Sequence, residues 1–436
     1  MIAAEVRLWG RTIGAVSMEE GRDYATFEYT PEFASSGIQV SPITMPLSRQ
    51  IYQFPELPRQ TFHGLPGLLV DSLPDRFGNA LIDAWLATEG RSPESFSAIE
   101  RLCYTGTRGM GALEYAPVIG PKPRSTSSIN VDALVRLASE VLTHQRNLAG
   151  HFSTASRSKA LADILRVGTS AGGARAKAVV AWNRETNEVR SGQMPAGPGF
   201  TYWLLKFDGV AGNKDKELED PQGYGAIEYA YALMAQAAGI TMTECRLLEE
   251  HGRRHFMTRR FDRLDDGSKL HMQSLGGLAH FNYNQAGAYA YEQAFLTIRQ
   301  LGLPMAAVEE QFRRMLFNVV ARNQDDHVKN IAFLMDKTGT WSLAPAFDVT
   351  YSYNPSGSWT ATHQMTINGK RDGFLIEDIR AAGKSAGLKQ GRAVALLEEI
   401  TAGVKKWPEF ASRAGVLGEV VETIGRIHRL GVRAVP

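Results

Sequence analysis

A helix that runs straight into a polar loop is what most constrains the fold of this chain. Pro304 opens a segment in which Met305, Val308, Phe312, Met315, Leu316, Val319 and Val320 recur every three or four residues. That spacing lays apolar side chains along one face of an α-helix. The helix delivers the chain into Arg322-Asn323-Gln324-Asp325-Asp326-His327-Val328-Lys329-Asn330. Ile331–Met335 and Trp341–Leu343, joined across Lys337-Thr338-Gly339, then predict a β-hairpin, with Pro345-Ala346-Phe347-Asp348 beyond it. A loop placed between a buried helix and a hairpin is held rigidly, and its side chains can face a cleft.

The loop carries a recognisable set of oxygen-bearing side chains. Asp325 stands five residues before Asn330, and Asp348 lies past the hairpin. Phosphoryl transfer of the protein-kinase type needs such a set: an Asp to orient a hydroxyl and accept its proton, with an Asn and a second Asp to hold Mg²⁺. On this reading Asp325 is the catalytic base, and Asn330 and Asp348 are the metal ligands. Lys329 neutralises the transferring phosphate or is an ordinary surface lysine. His327, placed with the nucleotide-binding residues, bonds the loop backbone rather than acting as a general base. Asp348 is followed by Val349 and Thr350, where eukaryotic kinases carry Phe-Gly. A Mg²⁺ site needs only hard oxygen ligands, so the difference touches loop switching and leaves the chemistry in place.

The rest of the chain reads as α+β with two lobes. Glu5–Trp9 and Ile13–Met18 alternate as paired strands, and Tyr24–Thr30 adds a third. Leu65–Trp85 has a helical pattern, and Ser92–Cys103 holds room for a short helix. A Pro/Ser-rich stretch, Pro121–Ser128, reads as a linker. Helices follow near Val131–His144 and Lys159–Val167, then strands at Ala178–Trp182 and Tyr202–Phe207. Ala226–Ala238 is a helix closed by Gly239, and His255–Phe261 a strand. Beyond about residue 285 the pattern is mostly helical, ending in long helices at Gly391–Val404 and Glu409–Leu430. The subdomains expected are a β-rich 1–124, a small lobe over 125–262 and a helical lobe over 263–436.

Composition narrows the class. A chain of 436 residues suggests two or three subdomains, and 44% hydrophobic with 22% charged residues is ordinary for a globular protein. No apolar run reaches the roughly 20 residues a membrane span requires, and the N-terminus does not read as a secretory signal. Cys103 and Cys245 form no framework, which fits a reducing cytoplasm. A net charge of +2 does not call for nucleic acid. A mild positive excess after Lys370 reads as a solvated helical surface or as a phosphate-contacting face.

Three more candidates lie upstream. Lys206 sits in Trp203-Leu204-Leu205-Lys206-Phe207, where a buried ammonium costs several kcal/mol unless paired. Glu228 on the next helix is the partner expected if the pair grips ATP phosphates; otherwise Lys206 snorkels. The stretch Gly168–Lys177, with Gly172 and Gly173, either wraps phosphates with its N–H groups or is a plain turn. It is neither a Walker A motif nor G-x-G-x-x-G. Arg259 and Phe261, at the end of a strand, are placed where a hinge would meet adenine.

Taken in order, these elements resemble the HipA family of bacterial toxin serine/threonine kinases. The resemblance rests on Ser170 to Lys177, Arg260-Phe261-Asp262-Arg263, and Asn323 to Asn330 with Asp348, together with the β-rich start. Gly172 and Arg175 differ from the family's usual residues. The resemblance implies a two-lobed protein-kinase-like fold with a β-rich N-terminal subdomain and an all-helical C-terminal lobe. It implies ATP and Mg²⁺ as cofactors, with Lys206 on ATP, and Ser170 as an autophosphorylation site whose phosphate displaces the loop and switches the kinase off. It further implies an aminoacyl-tRNA synthetase as substrate, typically the glutamyl enzyme. The partners implied are a HipB-like helix-turn-helix antitoxin and, through it, operator DNA. Two other readings stand beside it: a catalytically weak corepressor and a small-molecule kinase.

Overall fold

The computed structural model describes residues 2–120, 128–143, 164, 175–210, 214–215, 218–219 and 223–432. The chain divides into two units, each assembled from separate stretches of sequence. Unit 1 comprises Met1–Gln222, Arg246–Gln273 and Met335–Gly339; unit 2 comprises Gly223–Cys245, Ser274–Leu334 and Thr340–Pro436.

Unit 1 contains two five-stranded sheets and a short antiparallel pair, Lys214–Asp215 with Leu218–Glu219. The first uses β1 (Ile2–Leu8), β2 (Arg11–Met18), β3 (Thr26–Tyr29), β4 (Tyr52–Gln53) and β5 (Leu113–Ala116), in the order β4-β3-β2-β1-β5. Ala4, Val6 and Leu8 alternate into its core, as the strand period requires. The helical pattern read over Leu65–Trp85 is interrupted. One turn, Gly67–Val70, precedes α1 (Arg76–Thr88). Pro74 explains the break, because it lacks an N–H and disfavours helical backbone at Leu73. Asp75 restarts the helix by accepting the Gly78 N–H at 2.6 Å. Next come α2 (Ala98–Thr105), with a Ser97/Glu100 capping box, and α3 (Val131–Thr143).

The second sheet uses β6 (Lys177–Asn183), β7 (Val189–Ser191), β8 (Phe200–Lys206), β9 (Cys245–Glu250) and β10 (Arg253–Arg259), in the order β9-β10-β8-β6-β7. Phe77 and Leu81 of α1 and Val135 of α3 share one core with Val180, Trp182, Trp203 and Leu205 of this sheet. Trp182 meets Trp203 edge to face at 5.8 Å, a geometry worth about 1 kcal/mol beyond area burial. Strands β4, β5, β7 and β9 were not foreseen in the sequence. The strand expected at His255–Phe261 begins two residues earlier and stops at Arg259.

It stops there because the next residues turn into a buried charge cluster. Asp262 is fully buried and receives Arg260 Nη2 at 2.7 Å, Arg263 Nη1 at 2.8 Å and the Gly111 N–H at 2.7 Å. Arg260 and Arg263 also donate to the Gly109 carbonyl. Burial pushes the Asp262 carboxyl up, but the two guanidiniums outweigh it and hold it well below the usual carboxylate range. Burial in turn pushes Arg263 down to about 10.

Unit 2 is mainly helical: α4 (Tyr224–Ala237), α5 (Tyr291–Gln300), α6 (Met305–Ala321), α7 (Ile376–Ser385), α8 (Arg392–Val404), α9 (Trp407–Arg413) and α10 (Gly418–Ile427). The hairpin of β11 (Ala332–Met335) and β12 (Trp341–Leu343) interrupts the helices. Along α6, Val308, Phe312, Met315, Leu316, Val319 and Val320 are each at most 1% exposed, whereas Met305 at the helix start is exposed. Tyr231 donates to the Ala321 carbonyl at 2.7 Å, tying α4 to the end of α6. The single helix expected over Glu409–Leu430 is two, divided at Gly415, whose φ of +69° is left-handed. Among the described residues, no helix is long and apolar enough to cross a membrane.

Candidate active site

The end of α6 sets the loop. Arg322 closes the helix in the left-handed conformation at φ 57°, its N–H on the Asn318 carbonyl. The chain then runs extended, with Asn323 bridged in parallel to Ser352 and the Gln324 N–H on the Ser352 carbonyl at 3.0 Å. A 3-10 turn, Val328–Asn330, completes it.

Within this frame Asp325 Oδ1 receives the indole N–H of Trp359 at 2.6 Å, and His327 Nε2 lies 3.9 Å away. Asn330 Nδ2 donates to the Asp325 carbonyl at 2.9 Å. That bond fixes the amide so that Asn330 Oδ1 remains an acceptor. The main chain at His327 turns the loop: its backbone N–H donates to the Asp325 carbonyl, and its own carbonyl accepts the Asn330 N–H. The His327 ring packs near Tyr283, and Lys329 Nζ lies 5.0 Å from the centre of the tyrosine ring.

Asp348 follows the hairpin at φ 52°, a left-handed conformation unusual outside glycine. Asn330 and Asp348 line one cavity of about 30 Å³ in unit 2. A carboxylate and an amide oxygen on one small space are the donors a hard divalent cation takes. These residues therefore fit Mg²⁺.

A second layer holds the loop from behind. Asp326 is buried and accepts Tyr291 Oη at 2.7 Å, the Gln364 N–H at 2.8 Å and His363 Nδ1 at 2.8 Å. Arg429 Nη1 sits 3.2 Å from His363 Nε2. Arginine only donates, so Nε2 accepts and the ring proton is on Nδ1, aimed at Asp326. Burial pushes the Asp326 carboxyl up; His363, Tyr291 and the Gln364 amide outweigh it and hold the group below its ordinary value. The sequence reading missed Trp359, His363, Tyr291 and Gln364. A second Asp directly after Asp325 was the available signal that a further partner was required.

The remaining candidates lie apart from this loop in the chain. Lys206 ends β8 in unit 1, its Nζ 5.8 Å from the Phe256 ring centre. Glu228 is buried on α4 in unit 2. Arg259 pairs with Asp265, and Phe261 sits between the buried Arg260 and Asp262. Ser170, Gly172 and Gly173 lie outside the described residues, as does the helix read at Lys159–Val167 apart from Ile164, and as do residues 121–127 of the linker. The lysine that closes the serine loop, Lys177, is buried against Asp75 at 3.0 Å.

Comparison with known proteins agrees with this architecture. Residues 4–116 match the profile of the HipA N-terminal domain, and residues 169–407 match that of the HipA-like C-terminal domain. Among solved structures, the fold is that of a chain from the Shewanella oneidensis MR-1 toxin–antitoxin complex of HipA, HipB and operator DNA. The two share 16% identity over 97% of this chain and 94% of that one, with a TM-score of 0.65. The Helicobacter pylori proinflammatory kinase CtkA aligns over 59% of this chain and 89% of its own, at 11% identity and a TM-score of 0.36. No curated protein sequence matches. The fold is thus HipA-like. The chain belongs to the HipA family.

Proposed function

We propose that this chain is an ATP- and Mg²⁺-dependent serine/threonine protein kinase, the toxin of a toxin–antitoxin pair. The observation that carries the reading is the loop itself. Asp325 is held by Trp359, and five residues on Asn330 shares a cavity with Asp348. Asp325 would orient a substrate hydroxyl and take its proton. Asn330 and Asp348 would hold Mg²⁺, which when bound supplies charge for the phosphates of ATP. Lys206 and Glu228 would serve ATP binding, as would Gly172, Gly173, Arg259, Phe261 and His327. Lys329 would offset charge on the phosphoryl group.

The finer assignments rest on family membership. The substrate we propose is an aminoacyl-tRNA synthetase, the glutamyl enzyme first, with Ser170 as the self-modified off-switch. A HipB-like antitoxin and operator DNA are the proposed partners, supported by the composition of the Shewanella complex. The expected location is the cytoplasm. Incubation of the protein with γ-labelled ATP, Mg²⁺ and purified synthetases is the direct test. Label on the glutamyl enzyme and on Ser170, absent in Asp325→Ala, is the expected result. If no protein is labelled and Asp325→Ala behaves as the parent does, the chain is a binding module. If only a metabolite is labelled, it is a small-molecule kinase.

A further inference from the structure

The cavity shared by Asn330 and Asp348 has a far wall that the sequence reading left out. Helix α6 contributes Gln311, Arg314 and Asn318 to it, at positions i, i+3 and i+7 of one helix face. Gln311 is 1% exposed and Asn323 3% exposed, and both line the space. Among the described residues, Gln311 Oε1 and Asn323 Oδ1 have no hydrogen-bond partner. An orphaned buried acceptor costs about 1–3 kcal/mol, and two residues that carry one, lining the same small cavity, call for a donor inside it.

The orientation of Asn323 is fixed by its neighbours. Tyr291 must donate to the Asp326 carboxylate, so its oxygen accepts from Asn318 Nδ2 at 3.0 Å. Asn318 Oδ1 then accepts from Asn323 Nδ2 at 2.9 Å. The chain of donors runs one way and leaves Asn323 Oδ1 as its terminal acceptor. Asn330, as shown above, likewise keeps its oxygen as an acceptor. Arg314 also borders the cavity, but its Nε is on Glu310 at 2.9 Å, which offsets its charge.

We infer that Gln311 and Asn323 are positioning residues for a divalent cation, receiving hydrogen bonds from the waters it retains. The inference rests on the metal site proposed for Asn330 and Asp348. A Mg²⁺ ion bound by one or two side chains keeps several waters, and these are strong donors with no use for another donor nearby. Acceptor oxygens grouped around one small space match that need.

The test uses Mn²⁺ as the probe. Protein-bound Mn²⁺ is measured by electron paramagnetic resonance on the full chain with a non-hydrolysable ATP analogue, and circular dichroism confirms folding. Gln311→Leu should weaken Mn²⁺ by about tenfold, and Gln311→Glu, which places a carboxylate at the same spot, should tighten it. Opposite shifts support the inference. Equal weakening in both variants would mark a packing role, and unchanged affinity in both would leave a water-filled void; either overturns it while Asp348→Asn still loses Mn²⁺. If the parent protein binds no Mn²⁺, the proposed metal site itself fails.

Discussion

The indole of Trp359 donates to Asp325 Oδ1 from a position 34 residues further along the chain. A carboxylate held this way has one oxygen fixed and its orientation set. Trp359→Phe keeps the ring and removes the donor, so the turnover number should fall by about tenfold to a hundredfold with little change in KM for ATP. Steady-state phosphorylation assays check this. Asp348 combines the carboxylate proposed to hold the metal with left-handed backbone, a conformation asparagine also tolerates. Asp348→Asn should therefore keep the melting temperature within about 2 °C while abolishing divalent-dependent phosphorylation. Asp325, Asn330 and Asp348 stand out in the sequence because phosphoryl transfer asks for such residue types at short, fixed spacing. Trp359, His363 and Gln311 do not, because their partners come from distant segments and each residue alone resembles packing.

At the scale of elements, apolar periodicity exposed α6 and α4, and the turn residues Lys337-Thr338-Gly339 exposed the hairpin. It did not show the breaks. Pro74 splits one helical pattern and Gly415 another, since apolar spacing carries across a break that backbone geometry imposes. Gly415 at φ +69° lets α9 turn into α10. Gly415→Ala should cost about 1 kcal/mol, read as a lower urea midpoint with an unchanged slope. The polar residues Gln311, Arg314 and Asn318 on one face of α6 were visible in the sequence. Their meaning was not, because a helix face shows its purpose only once the wall opposite it is known.

For the whole molecule, titration of buried groups sets the response to acid. Burial pushes His271 and His428 down from 6.5 to about 4. As pH falls through 6.5 the unfolded chain takes up protons that the folded chain refuses, so stability drops from there to about pH 4 and changes little above 7 on their account. Urea denaturation at pH 7, 6 and 5 should show a progressive fall; a flat series would contradict it. The β-rich opening, the second sheet and the helical remainder could be read from alternation and period. The membership of the two units could not, because the chain leaves unit 1 at Gly223 and re-enters it at Arg246 and again at Met335. The Arg260–Asp262–Arg263 triplet bears on how the chain can be divided. Its carboxylate grips the amide of Gly111, and its guanidiniums grip the carbonyl of Gly109. Cutting away the first 116 residues would strip those partners and open three charges to solvent on a broken surface. The leading segment is a cornerstone of the unit it begins, and a shortened clone lacking it should be recovered as aggregate.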